Sequence, residues 1–131
     1  MILFLDDNPN RAAVAYQRML PSVRDRVIWC QTAEEAIKTL EDYRTVLELV
    51  MLDHDLGGEE FVNSKREDCG MEIIRFLEKY SHQEPEKFET FIDIKFIIHS
   101  WNKPAGLIMG ERLQKLGIKY VKYQPFGSGG F

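Results

Sequence analysis

The stretch V-M-L-D-H-D-L-G-G at 50–58 constrains this chain more than any other. A hydrophobic run, Leu49-Val50-Met51-Leu52, stops at Asp53-His54-Asp55 and turns through Gly57-Gly58. That is the pattern of a buried strand delivering ionisable side chains at its C-terminal end, where open α/β sheets place their ligand sites. Two further apolar runs end the same way, Ile2-Leu3-Phe4-Leu5 at Asp6-Asp7 and Ile94 with Phe96-Ile97-Ile98 at His99-Ser100. The sequence therefore predicts strands that stop together in reactive residues.

The rest of the chain reads as connections between such strands. Strand 2–6 is apolar on both faces, as in the interior of a parallel sheet. Asn8 suits an N-cap and Pro9 a first helical position, followed by Ala12, Ala13, Tyr16, Met19 and Leu20 at helical spacing until Pro21 stops the run. A second strand covers 26–31. Thr32 and Glu35 then form a capping box for a helix with Ala33, Ala36, Ile37, Leu40 and Tyr43 on its apolar face and Glu34 with Lys38 as an i,i+4 pair. A third helix, 70–80, turns Ile73, Ile74 and Leu77 inward; a fourth strand covers 93–99. A last helix runs to Leu116 with Gly117 as its C′ residue, and 118–124 alternates as an edge strand does.

Segments 59–69 and 81–90 are polar and aperiodic and read as loops. The first is either an exposed linker or, through Phe61-Val62, a lid. Strands alternating with helices give a doubly wound parallel sheet. No fifth helix is expected after the last strand, leaving part of one sheet face to the tail, another domain or a second copy, a hint of a homodimer.

Composition narrows the partners. At 131 residues the chain is expected to form a single domain over 1–126 with a glycine-rich tail at 127–131. A net charge of -4 argues against long duplex nucleic acid, which needs a basic face, but not against a short nucleotide. No run approaches the ~18 apolar residues of a membrane span, and a strand starting at Ile2 leaves no room for a leader, so a cytoplasmic location without membrane contact is expected. Cys30 and Cys69 have neither disulfide nor zinc spacing, and Cys30 reads as core.

An acidic pair after the first strand, an aspartate ending the third, a small hydroxyl residue after the fourth and a final strand followed by Pro125-Phe126 resemble the receiver domain of bacterial response regulators. The resemblance implies a three-layer, flavodoxin-like fold with strand order 2-1-3-4-5. It also implies Mg²⁺ on Asp6 and Asp7, Asp53 as phosphoacceptor and Ser100 as switch hydroxyl. Two departures stand out. Gln124 occupies the place of the family's lysine, with Lys122 two residues earlier, and His54, Asp55 and His99 are additional. The blocks L-D-D at 5–7, L-D-H-D-L-G at 52–57 and His99-Ser100-Trp101-Asn102-Lys103-Pro104-Ala105-Gly106 are similar to a diverged branch, the cyclic-phosphate-processing receiver domains.

The residues themselves carry a parallel argument. Carboxylates ~4–5 Å apart repel by roughly 3–4 kcal/mol per pair at an effective dielectric of 20. Raised pKa values offset that, or else a hard divalent cation does, Mg²⁺ or Mn²⁺, held by some of Asp6, Asp7 and Asp53. Against this, Asp7 suits a helix cap and Asp55 a turn. Asp53, His54 and His99 are the catalytic candidates, since one imidazole can activate water while the other protonates a leaving alkoxide. Strand alternation sends His54 to the face opposite Asp53 unless a bend at Gly57-Gly58 re-aims it. Ser100, Asn102, Lys103 and the amides of Gly57, Gly58 and Gly106 are candidates to hold phosphate, and Trp101 to stack on a base. Each has a plain structural alternative, and His82 is expected to face solvent.

The expectation is a metal-assisted phosphoesterase or phosphate-binding domain for small nucleotide or RNA-end phosphates. The alternatives are a non-enzymatic signalling or adaptor module with Asp53 in the phosphoacceptor position, or a purely structural subunit.

Overall fold

Four-residue runs too short to stand alone pair side by side, and the three central ones, Ile2–Leu5, Leu49–Leu52 and Lys95–Ile98, are buried on both faces along most of their length. The computed structural model, which describes residues 1–56, 63–66 and 68–125, shows β1 (Ile2–Leu5), α1 (Pro9–Arg18), α2 (Pro21–Arg24), β2 (Val27–Cys30), α3 (Ala33–Asp42) and β3 (Leu49–Leu52) in the first half of the chain. The second half holds α4 (Met71–Gln83), α5 (Pro85–Ile92), β4 (Lys95–Ile98), α6 (Lys103–Lys115) and β5 (Tyr120–Tyr123). The sheet is parallel throughout and ordered β2-β1-β3-β4-β5, the expected topology.

Register is what matters for function. Leu5 lies level with Leu52, and Leu52 with Ile98. The ladder continues one step past each strand: the Asp53 amide donates to Leu5 O at 3.1 Å and the His99 amide to Leu52 O at 2.9 Å. The three polar strand ends therefore finish side by side.

Alternation divides the core between two faces. Leu3, Leu5, Val50, Leu52, Phe96 and Ile98 pack with Leu40 of α3, Ile73, Ile74 and Leu77 of α4, and Met109 and Leu113 of α6. On the opposite face Ile2, Phe4, Met51 and Ile97 pack with Ala12 and Ala15 of α1. Beyond α1 that second face opens into a groove of about 360 Å³, lined by Met51, Ile97, Lys95, Lys122 and Gln124 among others.

Several local expectations need correction. Segment 81–90 is not a loop: α4 runs on to Gln83 and α5 follows, with Pro85 in its first turn. Burial of Phe88 and Phe91, the latter edge-on to Tyr80 at 6.0 Å, outweighs the polar composition. Helix α1 stops at Arg18, so Leu20 is exposed rather than inward, and Ala13 also faces out. The capping box is half formed: Thr32 Oγ1 accepts from the Glu35 amide at 3.1 Å and donates to the Glu35 carboxylate itself at 3.2 Å. Lys38 pairs with Asp42 at 2.8 Å rather than with Glu34. Asn8 caps α1 as expected, and Gly117 takes φ 93, where glycine is favoured.

The expectations for Gly57-Gly58, for Phe61-Val62 and for the chain after Pro125, including the missing fifth helix and the tail, fall on residues outside those described. Among the described residues no helix is long and apolar enough to cross a membrane.

Candidate functional site

Asp6, Asp53 and His99 project from the ends of β1, β3 and β4 on the α1 side of the sheet, each offering a ligand atom within 4.8 Å of the others. All three are buried. His99 lies flat on Phe4, ring centroids 5.1 Å apart and planes within 10°, so the core sets the imidazole's orientation. Its Nε2 is 3.2 Å from Asp6 Oδ2. The Trp29 indole donates to Asp6 O at 2.7 Å, fixing the backbone from the β2 side.

The cation at the centre of this cluster is Arg11, from the first turn of α1. Its Nε donates to Asp6 Oδ2 and one terminal nitrogen to Asp6 Oδ1, both at 2.8 Å. The same nitrogen donates to Asp53 Oδ2 at 3.2 Å and lies 3.6 Å from Asp7 Oδ1. Asp7 thus meets the guanidinium from outside the three-residue group.

The carboxyls split in consequence. Burial pushes Asp6 up, but hydrogen bonds from His99, Arg11 and the Asn8 amide outweigh it and hold the group below its usual range. Burial pushes Asp53 up to about 6, opposed by the nearby His99 and Arg11 charges and reinforced by Asp6. Arg11 is held more firmly protonated by its hydrogen bonds to Asp6.

His54 belongs to a second cluster. Its amide donates to Asp53 Oδ1 at 2.8 Å, but its fully buried ring points away, as alternation predicts. Nδ1 lies 2.7 Å from Asp55 Oδ1 and Nε2 lies 2.9 Å from Ser64 Oγ. Burial lowers the His54 pKa, but the neighbouring Cys69 and Asp55 outweigh that and raise it. Burial likewise raises Cys69, and His54 with the Met71 amide reverses the shift. Gly70 closes this side of the site: its amide donates to His54 O at 2.7 Å, and a Cβ there would sit 1.9 Å from Asp53 O.

The turn from β4 into α6 joins the two clusters. Asn102 caps α6 by accepting from the Ala105 amide at 3.3 Å and donates to Asp55 Oδ1 at 3.2 Å. Ser100 Oγ is buried and accepts from the Asn102 amide at 3.1 Å. The Gly106 amide is not a phosphate donor as expected, because it is spent on Asn102 O at 2.8 Å; glycine is needed there because a Cβ would come 2.6 Å from the Tyr123 ring. Trp101 and Lys103 are exposed on the rim. His82, expected to face solvent, is exposed at the end of α4.

Sequence reasoning missed Arg11, Ser64 and Cys69. The signal for Arg11 was its i,i+4 spacing from Asp7 at a helix start. For Ser64 and Cys69, well beyond His54 in the chain, the sequence held no signal.

A parallel sheet in this order, with acidic ends on β1 and β3, defines a receiver-like domain. The family model for the cyclic-phosphate processing receiver domain matches residues 1–115, and the chain belongs to that family. Among solved structures it is similar to the signal receiver domain of a protein described as a Luxo repressor from Vibrio parahaemolyticus, at 17% identity and TM-score 0.53, covering 97% of this chain and 79% of that one. It is also similar to a response regulator from Burkholderia pseudomallei, solved with a phosphorylated aspartic acid, calcium ion and citrate, at 17% identity and TM-score 0.49, covering 95% and 59%. At such identities the likeness is one of fold. No curated protein matches the chain.

Asp6, Asp53 and His99 could bind a metal: two carboxylates suit a hard divalent cation, and the imidazole nitrogen adds a donor that Mn²⁺ accepts more readily than Mg²⁺.

Proposed function

We propose that this domain is a metal-assisted phosphoesterase or phosphate-binding domain for a small cyclic or terminal phosphate on a nucleotide or RNA end. The observation that carries this reading is the meeting of Asp6, Asp53 and His99 at three adjacent strand ends in a chain of the cyclic-phosphate processing family. Mg²⁺ or Mn²⁺ held by Asp6 and Asp53, with Asp7 at the edge, would supply Lewis-acid polarisation of a phosphate oxygen.

The chain's own groups supply the proton chemistry. When a 2′,3′-cyclic phosphate opens, a water oxygen bonds to phosphorus and one bond from phosphorus to a ribose oxygen breaks. The water's proton goes to a base, and the departing oxygen takes one from an acid. With Asp53 held charged by the metal, His99 Nε2 on the same side of the sheet can take the water's proton and return it to the departing ribose oxygen. His54 serves by holding Asp55, to which Asn102 donates. Asn102 and Lys103 at the start of α6, with Ser100 beneath, are the side proposed to hold phosphate, and exposed Trp101 offers a face for a base.

The purified chain with Mn²⁺ or Mg²⁺ is expected to open 2′,3′-cyclic nucleotides, followed by phosphorus NMR, and His99→Ala to lower the rate by ~10²-fold. No turnover across divalent metals and a panel of cyclic and linear phosphates refutes the catalytic reading. The position of Asp53, beside Asp6 at the end of a central strand of a receiver fold, favours a second reading as a signalling or adaptor module that takes phosphate on Asp53. Beryllofluoride separates the two, because a signalling receiver traps it at Asp53 with metal.

A further inference from the structure

The two Asp6 oxygens a metal would need are already taken. Oδ1 accepts from an Arg11 terminal nitrogen and from the Asn8 amide, and Oδ2 accepts from Arg11 Nε and lies 3.2 Å from His99 Nε2. On Asp53, Oδ1 accepts from the His54 amide and Oδ2 from Arg11. A guanidinium that reaches Asp6 twice, Asp53 once and Asp7 electrostatically does the charge balancing that a divalent cation would do.

We propose that Arg11 is the resident cation of this site, and that a divalent cation binds by exchange with it, displacing the guanidinium from Asp6 and Asp53. This rests on the reading of those aspartates as metal ligands.

Three features support exchange over joint occupancy. A divalent ion bonds carboxylate oxygens at ~2.0–2.6 Å, so an ion shared between Asp6 and Asp53 would lie about 3–4 Å from the guanidinium nitrogens now on the same oxygens. Like charges at that distance in a buried site repel strongly. The arginine has a way out: it stands on the first turn of α1 and its side chain is 30% exposed, whereas those of Asp6 and Asp53 are 0% and 6% exposed and stay in place. The released guanidinium would still sit at the mouth of the site, a planar donor suited to a phosphate oxygen. Loss of Arg11 from the aspartates on metal binding would thus be coupled to its gain by an anionic ligand.

The test uses the full chain stripped of metal with a chelator and titrated with Mn²⁺, with free ion followed by electron paramagnetic resonance. Trp29, bonded to Asp6 O, gives a second readout by fluorescence once Trp101→Phe removes the other indole. Arg11→Met is expected to bind Mn²⁺ at least about tenfold tighter than the parent. Without metal it is expected to melt lower, and saturating Mn²⁺ is expected to restore its melting point more than it raises the parent's. Arg11→Gln carries the same expectations and replaces the methionine variant if that fails to fold. If the parent binds Mn²⁺ and the variants bind it equally or more weakly, exchange is overturned while the metal reading stands. If neither parent nor variants bind Mn²⁺, both fall.

Discussion

Burial beside Asp6 makes the folded chain hold the Asp53 proton more tightly than the unfolded chain does, with a carboxyl near 6 against an ordinary value of 3.8. An acid raised in this way stabilises the fold while protonated, and that contribution is lost as pH rises from about 4 through about 6. Two pKa units correspond to about 3 kcal/mol, with the opposing charges of His99 and Arg11 already included. Asparagine cannot ionise. Asp53→Asn is therefore expected to stabilise the metal-free protein by about 1–3 kcal/mol at pH 7.5 and to give no gain near pH 4, measured by urea unfolding. The place of Asp53 at a strand end beside Asp6 was legible, because both apolar runs stop abruptly at aspartates. The residue that balances it was not. Arg11 acts through the reach of a long side chain, and sequence position alone does not reveal where such a chain ends.

Elements were legible where apolar residues alternate or repeat and obscure where a few aromatic residues decide. The strands appeared within two or three residues of their observed bounds, since each run stops at a charged or polar side chain. Helix α5 was lost in a polar stretch whose only hint is Phe88, Phe91 and Ile92 at helical spacing after Pro85. The entry into α4 teaches the same lesson through contact instead of pattern. Gly70 reads as an ordinary helix boundary, yet it is where α4 meets the carbonyl of Asp53, with no room for a methyl group. Gly70→Ala is expected to cost about 3 kcal/mol or more by forcing the helix off the strand. In the proposed function part of the loss should appear as weaker Mn²⁺ binding, because the displaced carbonyl belongs to Asp53; thermal melts with and without Mn²⁺ separate the two effects.

Across the whole molecule, the alternation of strands and helices followed from the pattern of the sequence, the strand order from the family resemblance carried by its motifs, and the register only from the structure. The sides to which the two histidines point followed from alternation, and the His54 ring lies on the Asp55 side rather than beside His99. His99 faces α1, whereas His54 faces Asp55, Ser64 and Cys69 across the sheet. The backbone layer lies between the two rings, and in the proposed function they act differently, His99 by exchanging a proton and His54 by holding Asp55. Such groups should behave as independent parts. The kinetic penalties of His54→Ala and His99→Ala are expected to add in the double variant to within about 0.5 kcal/mol. A strongly sub-additive result would mean that both rings serve one event. If the penalties add, mutation could retune the proton-exchanging ring on one side while the scaffold that fixes Asp55 and Asn102 on the other stays intact, so that reactivity and ligand positioning could be altered one at a time.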